Sequence, residues 1–314
     1  MINDPAFCKE NKGNSKTMTR DDAIERYKEI AHRLPDPVNP TSSQHVENLL
    51  RLVDEFDVFV LDGFGVLNIG DATIPGAVER VAQLQKHGKH VLVLTNGATL
   101  PVRKTVEKYR QWGMTFQLQD VISSRNALEH AVQKHDQYLR WGVIAPELSQ
   151  AEELAPQTTL LSDNRDEYAA VDGFIFLSTT NWSDQRQQLL QGALAEKSRP
   201  LLVGNPDLVA PREDVMSLEP GYYAHALADA GLCDPVFYGK PFSAVFDLAD
   251  TQINNVKPHR IAMVGDTLHT DILGGASYGW RTVLIKNHGL MKEADDEHTF
   301  AQTGIRPHYI AQTT

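Results

Sequence analysis

An α/β fold is expected for this 314-residue chain: a doubly wound parallel sheet interrupted by a second, inserted α/β unit. Two observations predict it. Short apolar, β-branched runs alternate with helical patterns, as in strands covered by helices on both faces. Several of those runs also end on polar clusters, at Asp62, Thr95-Asn96 and Gly265-Asp266, and open parallel sheets bind ligands outside the carboxyl ends of their strands.

Residues 1 to about 17 are polar and aperiodic, and read as a flexible or surface-laid arm. Thr19 followed by Asp22 is an N-cap signal for a helix running toward Leu34, broken by Pro35-Asp36-Pro37. Ser43 is expected to begin a second helix, because Val46, Leu49, Leu50 and Val53 recur at helical spacing. Phe56 to Leu61 is the first buried strand and ends in Asp62. Pro75 opens a helix carrying Val78, Val81, Ala82 and Leu84, closed at Gly88. Val91 to Leu94 is the next strand and leads into Thr95-Asn96-Gly97. Trp141 to Ala145, Phe174 to Leu177 and Leu201 to Val203 form a second strand series, with a helix over Asp184 to Lys197. Ile261 to Val264 and Val283 to Ile285 return to the first sheet. The expected organisation is an N-terminal arm and helix over 1–44, a core of 45–126 plus 235–314, and an inserted unit over 127–234.

Composition narrows the function. A formal charge of −11 argues against a general nucleic-acid or anionic-membrane binder, since such partners need a basic face. No apolar run approaches the roughly 18 residues of a membrane span. Met1-Ile2-Asn3-Asp4-Pro5 lacks the layout of a signal peptide. Cys8 and Cys233 show no metal-type spacing, and two distant cysteines build no disulfide framework. A cytoplasmic location is expected.

Carboxylates brought by separate strands to one sheet edge, here Asp62, Asp266 and Asp271, suit Mg²⁺, which prefers octahedral oxygen ligands. Gly63 and Gly65 let the backbone approach a bound group closely. Asn96-Gly97, between a strand and the next helix, can offer backbone N–H groups to an anion. Each piece also has a plainer reading. A strand-ending Asp more often caps a turn, Asp271 caps a helix, Thr95 is a core hydroxyl, and Lys240 is a loop lysine. The order of the clusters along the chain favours a site.

That order resembles the haloacid dehalogenase (HAD) superfamily of phosphohydrolases, in particular its NagD-type class IIA branch. Asp62-Gly63-Phe64-Gly65-Val66-Leu67 is similar to the first motif, and Leu94-Thr95-Asn96 to the second. Gly239-Lys240-Pro241 is similar to the third, and Gly265-Asp266-Thr267-Leu268-His269-Thr270-Asp271-Ile272 to the fourth. Gly204-Asn205-Pro206-Asp207 matches an Asn-Pro-Asp signature of class IIA caps, and the insert falls where that class carries its cap. The resemblance implies a Rossmann-like core with an inserted α/β cap that sets substrate specificity.

It further implies a Mg²⁺-dependent hydrolase of a small phosphorylated metabolite, acting through an aspartyl-phosphate on Asp62. Thr95, the amides of Asn96 and Gly97, and Lys240 would bind the phosphoryl group. Gly63, Asn205 and Asp207 would border the substrate. Asp62, the Phe64 carbonyl, Asp266 and Asp271 would hold the metal. Residues 68–76, turning at Gly70-Asp71, resemble a short flap over the site. The class also favours a homodimer through the cap. His269 reads as a surface residue at a helix start, with a substrate contact as the alternative.

One departure stands out. The family has a second Asp two residues after the nucleophile, as general acid and base, and here that position is Phe64. Three readings follow: a phosphatase with a good leaving group or a borrowed acid, for which Asp71 is one candidate; a catalytically impaired phospho-ligand binding protein; or a C-halide hydrolase, whose first motif has an aromatic there.

Overall fold

The structure is a computed structural model and describes residues 17–211, 216–289, 292 and 295–314. The arm expected over residues 1 to about 17 thus lies outside the described residues, Thr17 excepted.

Seven parallel strands make the central sheet, in the order Gln44–Val46, Tyr309–Ala311, Arg281–Ile285, Ile261–Gly265, Val58–Leu61, His90–Thr95 and Val121–Ser123. The unbroken apolar run before Asp62 has a simple cause. Successive side chains of a strand point to opposite faces, and both faces are covered. Phe59 and Leu61 join the core cluster that holds Leu84 and Phe116, while Val58 and Val60 join the one built on Phe246 and Trp280.

A second parallel sheet has the order Val236–Phe237, Leu201–Val203, Gly173–Phe176, Trp141–Ile144 and Thr158–Leu160. Its edge strand lies beyond residue 234, where the inserted unit was expected to end, and runs directly toward Lys240. The helix Ser124–Val132 joins the two units, with Ala127 in a core cluster and Leu128 and Val132 in the cluster under the second sheet. Among the described residues, no helix is long and apolar enough to cross a membrane.

The helix expected from Ser43 is not formed. Gln44–Val46 is instead the edge strand of the central sheet, paired in parallel with Tyr309–Ala311, and only Leu49–Leu52 makes a short 3-10 turn. Asn48 restarts the chain there, its side chain accepting from the Leu50 N–H at 3.0 Å. The helical spacing arose because the strand residue Val46 and the turn residues Leu49, Leu50 and Val53 all pack on one core cluster.

The N-terminal helix, Arg20–Glu29, is closed by a capping box between Thr19 and Asp22. Its apolar face does not stay with the core. Ala23, Tyr27 and Ile30 pack with Leu208, Val209 and Leu218 of the inserted unit, while the Tyr27 ring stacks on His269 of the core at 4.1 Å. Thr17–Met18 adds a strand to the antiparallel pair Val209–Pro211 and Met216–Leu218. Arg26 and Arg33 both pair with Asp229, at the end of the helix Pro220–Asp229. The helix therefore straddles both units.

Packing should outweigh charge in this clasp. Asp229 is substantially exposed, and exposed ion pairs contribute about 1 kcal/mol or less. Ile30 is buried, and Ile→Ala truncation in a core costs about 2–5 kcal/mol. Urea unfolding of Asp229→Ala and Ile30→Ala is expected to show the second as clearly the more destabilised.

Candidate active site

Sheet register assembles the site. Leu61 pairs with Val264 on one side and Val93 on the other, so Asp62, Asp266 and Thr95 emerge together at one edge. Gly65 follows with φ +76°, where a Cβ would stand 2.4 Å from the Asp266 carboxylate. Only glycine combines that conformation with that approach. The turn closes as the Leu67 and Asn68 amides donate to the Gly63 carbonyl at 2.8 and 3.0 Å. The hairpin Asn68–Ile69 with Ala72–Thr73 then forms at the flap position. Asp71 is exposed at its tip and does not line the cavity, so as a substitute acid it is not positioned.

Lys240 holds the centre. It is buried, and its Nζ donates to Asp62 Oδ1 at 2.7 Å, Asp271 Oδ1 at 2.7 Å and the Leu94 carbonyl at 2.8 Å. These three acceptors use all three of its protons. The Asn96 side chain grips the same residue from both sides, accepting from the Lys240 N–H at 2.7 Å and donating to its carbonyl at 2.9 Å. Asn96 Nδ2 also donates to Asp207 Oδ1 at 2.8 Å. Thus the Asn96 side chain serves as scaffold, which leaves only its backbone N–H for an anion. Thr95 Oγ1 accepts from the Gly97 N–H at 3.1 Å.

Electrostatics follow from this crowding. Burial pushes the Asp62 carboxyl up to about 7; Lys240 opposes the shift and Asp271 adds to it. Burial alone would depress Lys240, but Asp271 and Asp62 outweigh it and hold the ammonium well above the usual lysine range. Burial likewise pushes Asp207 up to about 7, opposed by Asn96 and Lys240 and reinforced by Glu219 and Asp271.

A metal fits this donor set. Oxygens of Asp62, Asp266 and Asp271 lie within 4.8 Å of one another. Three converging carboxylates, two of them on the Lys240 ammonium, give the all-oxygen, anionic donor set that suits a hard divalent cation. No backbone N–H is donated to the Phe64 carbonyl among the described residues, which leaves its lone pairs available. Asp271 is more committed, since Lys240 occupies Oδ1 and the Thr267 N–H donates to Oδ2 at 3.1 Å.

A cavity of about 200 Å³ stands over this cluster. Of the residues anticipated from sequence, Asp62, Phe64, Thr95, Asn96, Gly97, Asn205, Asp207, Lys240 and Asp266 line it. Gly63 and Asp271 do not: Gly63 lies against Tyr109, and Asp271 is fully buried behind Lys240. His269 corrects the expectation of a surface residue. It is buried, because the N-terminal helix lays Tyr27 across it.

Seven lining residues lie outside the anticipated set, Tyr27 and Glu219 among them. Tyr27 reaches the cavity from the N-terminal helix and accepts from the Leu208 N–H at 3.4 Å. Glu219 opens the helix Pro220–Asp229 and accepts from Asn205 Nδ2 at 3.3 Å and Ser217 Oγ at 2.8 Å. The Glu-Pro pair marks a helix start, which is the one signal that pointed to Glu219.

Residues 59–155 match a family model described as haloacid dehalogenase-like hydrolase, and residues 237–313 match a second, HAD-hydrolase-like model. The chain belongs to the haloacid dehalogenase superfamily. Phosphoglycolate phosphatase 2 of Arabidopsis thaliana is 24% identical over 263 residues, 76% of this chain and 85% of that protein. A possible sugar phosphatase of the superfamily from Cytophaga hutchinsonii superposes with a TM-score of 0.77 at 22% identity, over 86% of this chain and 98% of that one. Glycerol phosphate phosphatase from Mycobacterium tuberculosis, in complex with magnesium, gives 0.67 at 21% identity, over 83% and 76%.

For this HAD hydrolase the two raised carboxyls set a pH dependence. Asp62 and Asp207 bind protons more tightly folded than unfolded, so between about pH 4 and 7 the native state carries more protons. Without metal, the unfolding free energy should therefore fall as pH rises through that window. Asp207→Asn is expected to lessen that fall by about 1 kcal/mol or more, read from urea unfolding in chelator at either end of the window.

Proposed function

We propose that this HAD-superfamily hydrolase is a magnesium-dependent phosphatase of a small phosphorylated metabolite, acting through an aspartyl-phosphate on Asp62. One observation carries the reading: Asp62 ends its strand at the cavity, paired at 2.7 Å with a lysine that also holds a second buried carboxylate.

Lys240 favours the ionised form of Asp62 against its burial and orients it, so that a carboxylate oxygen could face phosphorus. Thr95 Oγ1 and the N–H groups of Asn96 and Gly97 would take the transferring oxygens once a phosphate displaces the Gly97–Thr95 bond. Phosphoryl transfer asks chiefly for such positioning and charge, and the covalent step divides one difficult displacement into two. A Mg²⁺ held by Asp62, the Phe64 carbonyl and Asp266, with Asp271 in support, would neutralise charge on the phosphoryl oxygens. The cavity over Asp62 gives room for a small phosphorylated metabolite. The similarity to phosphoglycolate and glycerol phosphate phosphatases supports the same size class.

Phe64 favours one second reading, a phospho-ligand binder with little turnover. A C-halide hydrolase is disfavoured, because it has no use for the buried surplus of carboxylates.

Hydrolysis of p-nitrophenyl phosphate is expected to require Mg²⁺ and to fall by about 10³-fold or more in Asp62→Asn. Phosphate binding by the wild type without Mg²⁺-dependent release of nitrophenolate would instead establish the binder. Phe64→Asp is expected to raise turnover of alkyl phosphates about 10-fold or more, general acids being worth about 10²–10⁴. No gain in a folded, Mg²⁺-binding variant would count against this account of position 64.

A further inference from the structure

With Phe64 in place of the usual acid, the proton for a leaving alkoxide must come from another group on the cavity wall. Four carboxyls stand there: Asp62, Asp207, Glu219 and Asp266. Asp62 is the nucleophile, and Asp266 sits on the metal side beneath Gly65. Both Glu219 oxygens are engaged, by Asn205 and Ser217. Asp207 differs. Its Oδ1 accepts from Asn96 Nδ2, and no hydrogen bond reaches its Oδ2 among the described residues.

Its position is rigid. The Asp207 N–H donates to Asn205 Oδ1 at 3.0 Å. Gly221 packs so tightly on this loop that a Cβ would stand 2.0 Å from the Pro206 carbonyl oxygen. Through the Asn96 amide, Asp207 is also tied to the main chain of Lys240, the partner of the nucleophile. The carboxyl thus borders the cavity that Asp62 and Phe64 also line.

We propose that Asp207 is the general acid and base of the reaction, in place of the residue replaced at position 64. This rests on the phosphatase reading. As an Asp62 oxygen bonds to phosphorus and the phosphorus–alkoxide bond breaks, the Asp207 carboxyl gives its proton to the departing oxygen, releasing an alcohol. Asp207, now a carboxylate, takes a proton from water as the water oxygen bonds to phosphorus. The acyl-phosphate bond then breaks, freeing inorganic phosphate and the Asp62 carboxylate, with Asp207 again protonated.

The charged surroundings suit this cycle. Lys240, Glu219 and Asp271 act on Asp207, and Asp207 in turn acts on Asp62 and on the Tyr27 hydroxyl. With a carboxyl poised near 7, both protonation states are accessible at neutral pH. Tyr27, the other proton-bearing acid on the wall, is held far above its usual range by burial and cannot exchange its proton in the same way.

The test compares kcat/KM of wild type and Asp207→Asn for p-nitrophenyl phosphate, whose phenolate leaves unprotonated, and for glycerol phosphate. The variant is expected to lose about 100-fold on glycerol phosphate and less than about 3-fold on the aryl ester. With the aryl ester it should release a burst of one nitrophenolate per enzyme, as the phosphoenzyme waits for its base. Asp207→Glu should recover part of the glycerol phosphate activity, and Tyr27→Phe should leave the ratio of the two substrates unchanged. Equal losses on both substrates in Asp207→Asn, or none on either, would overturn the role of Asp207 while leaving the phosphatase reading intact. Wild-type enzyme inert toward both esters with Mg²⁺ would overturn that reading and this proposal together.

Discussion

The buried ammonium of Lys240 is the interaction around which the rest of the site is arranged. A lysine with no exposed surface is costly unless its protons are satisfied and its charge is met. Here two carboxylates and a main-chain carbonyl meet both conditions. The three acceptors come from the end of Val58–Leu61, from His90–Thr95 and from the helical turn after Ile261–Gly265, three neighbouring strands, so their meeting presupposes the register of the central sheet. Asn96 belongs to the same constraint, since its amide pins the Lys240 backbone and leaves the side chain nowhere else to go.

A consequence of that arrangement is an imbalance. One ammonium serves Asp62 and Asp271, Asp266 lies beside them, and Asp207 adds a further acid on the cavity wall. The raised affinity of Asp62 and Asp207 for protons has burial as its first cause, with neighbouring carboxylates adding to it. A stable fold tolerates this because the strain is local. It lies at the carboxyl edge of a sheet whose two faces are thoroughly buried.

Much of this was legible in the sequence because it depends on local signals. Buried strands of four to six residues leave continuous apolar runs, and three of the four motifs fall at their ends. What escaped depends on distant partners. Gln44–Val46 is a strand only because Tyr309–Ala311 lies beside it, and no pattern within residues 43–53 discloses that. Val121–Ser123 and Val236–Phe237 are too short for periodicity to register. His269 looks like a surface residue until Tyr27 covers it. The helical spacing of Ala23, Ile24 and Tyr27 announces a buried face but not what buries it.

The straddling N-terminal helix contributes to the wall of the cavity. The two matched family segments begin at residues 59 and 237, so Tyr27 falls outside what the superfamily holds in common. A sequence pruned of its first 34 residues would keep all four motifs, their carboxylates and the lysine, yet its cavity would lose the part of its wall that Tyr27 makes. Two chains that agree at every motif position can therefore hold differently shaped chambers. The shape of this chamber is thus partly set by a stretch outside the matched segments.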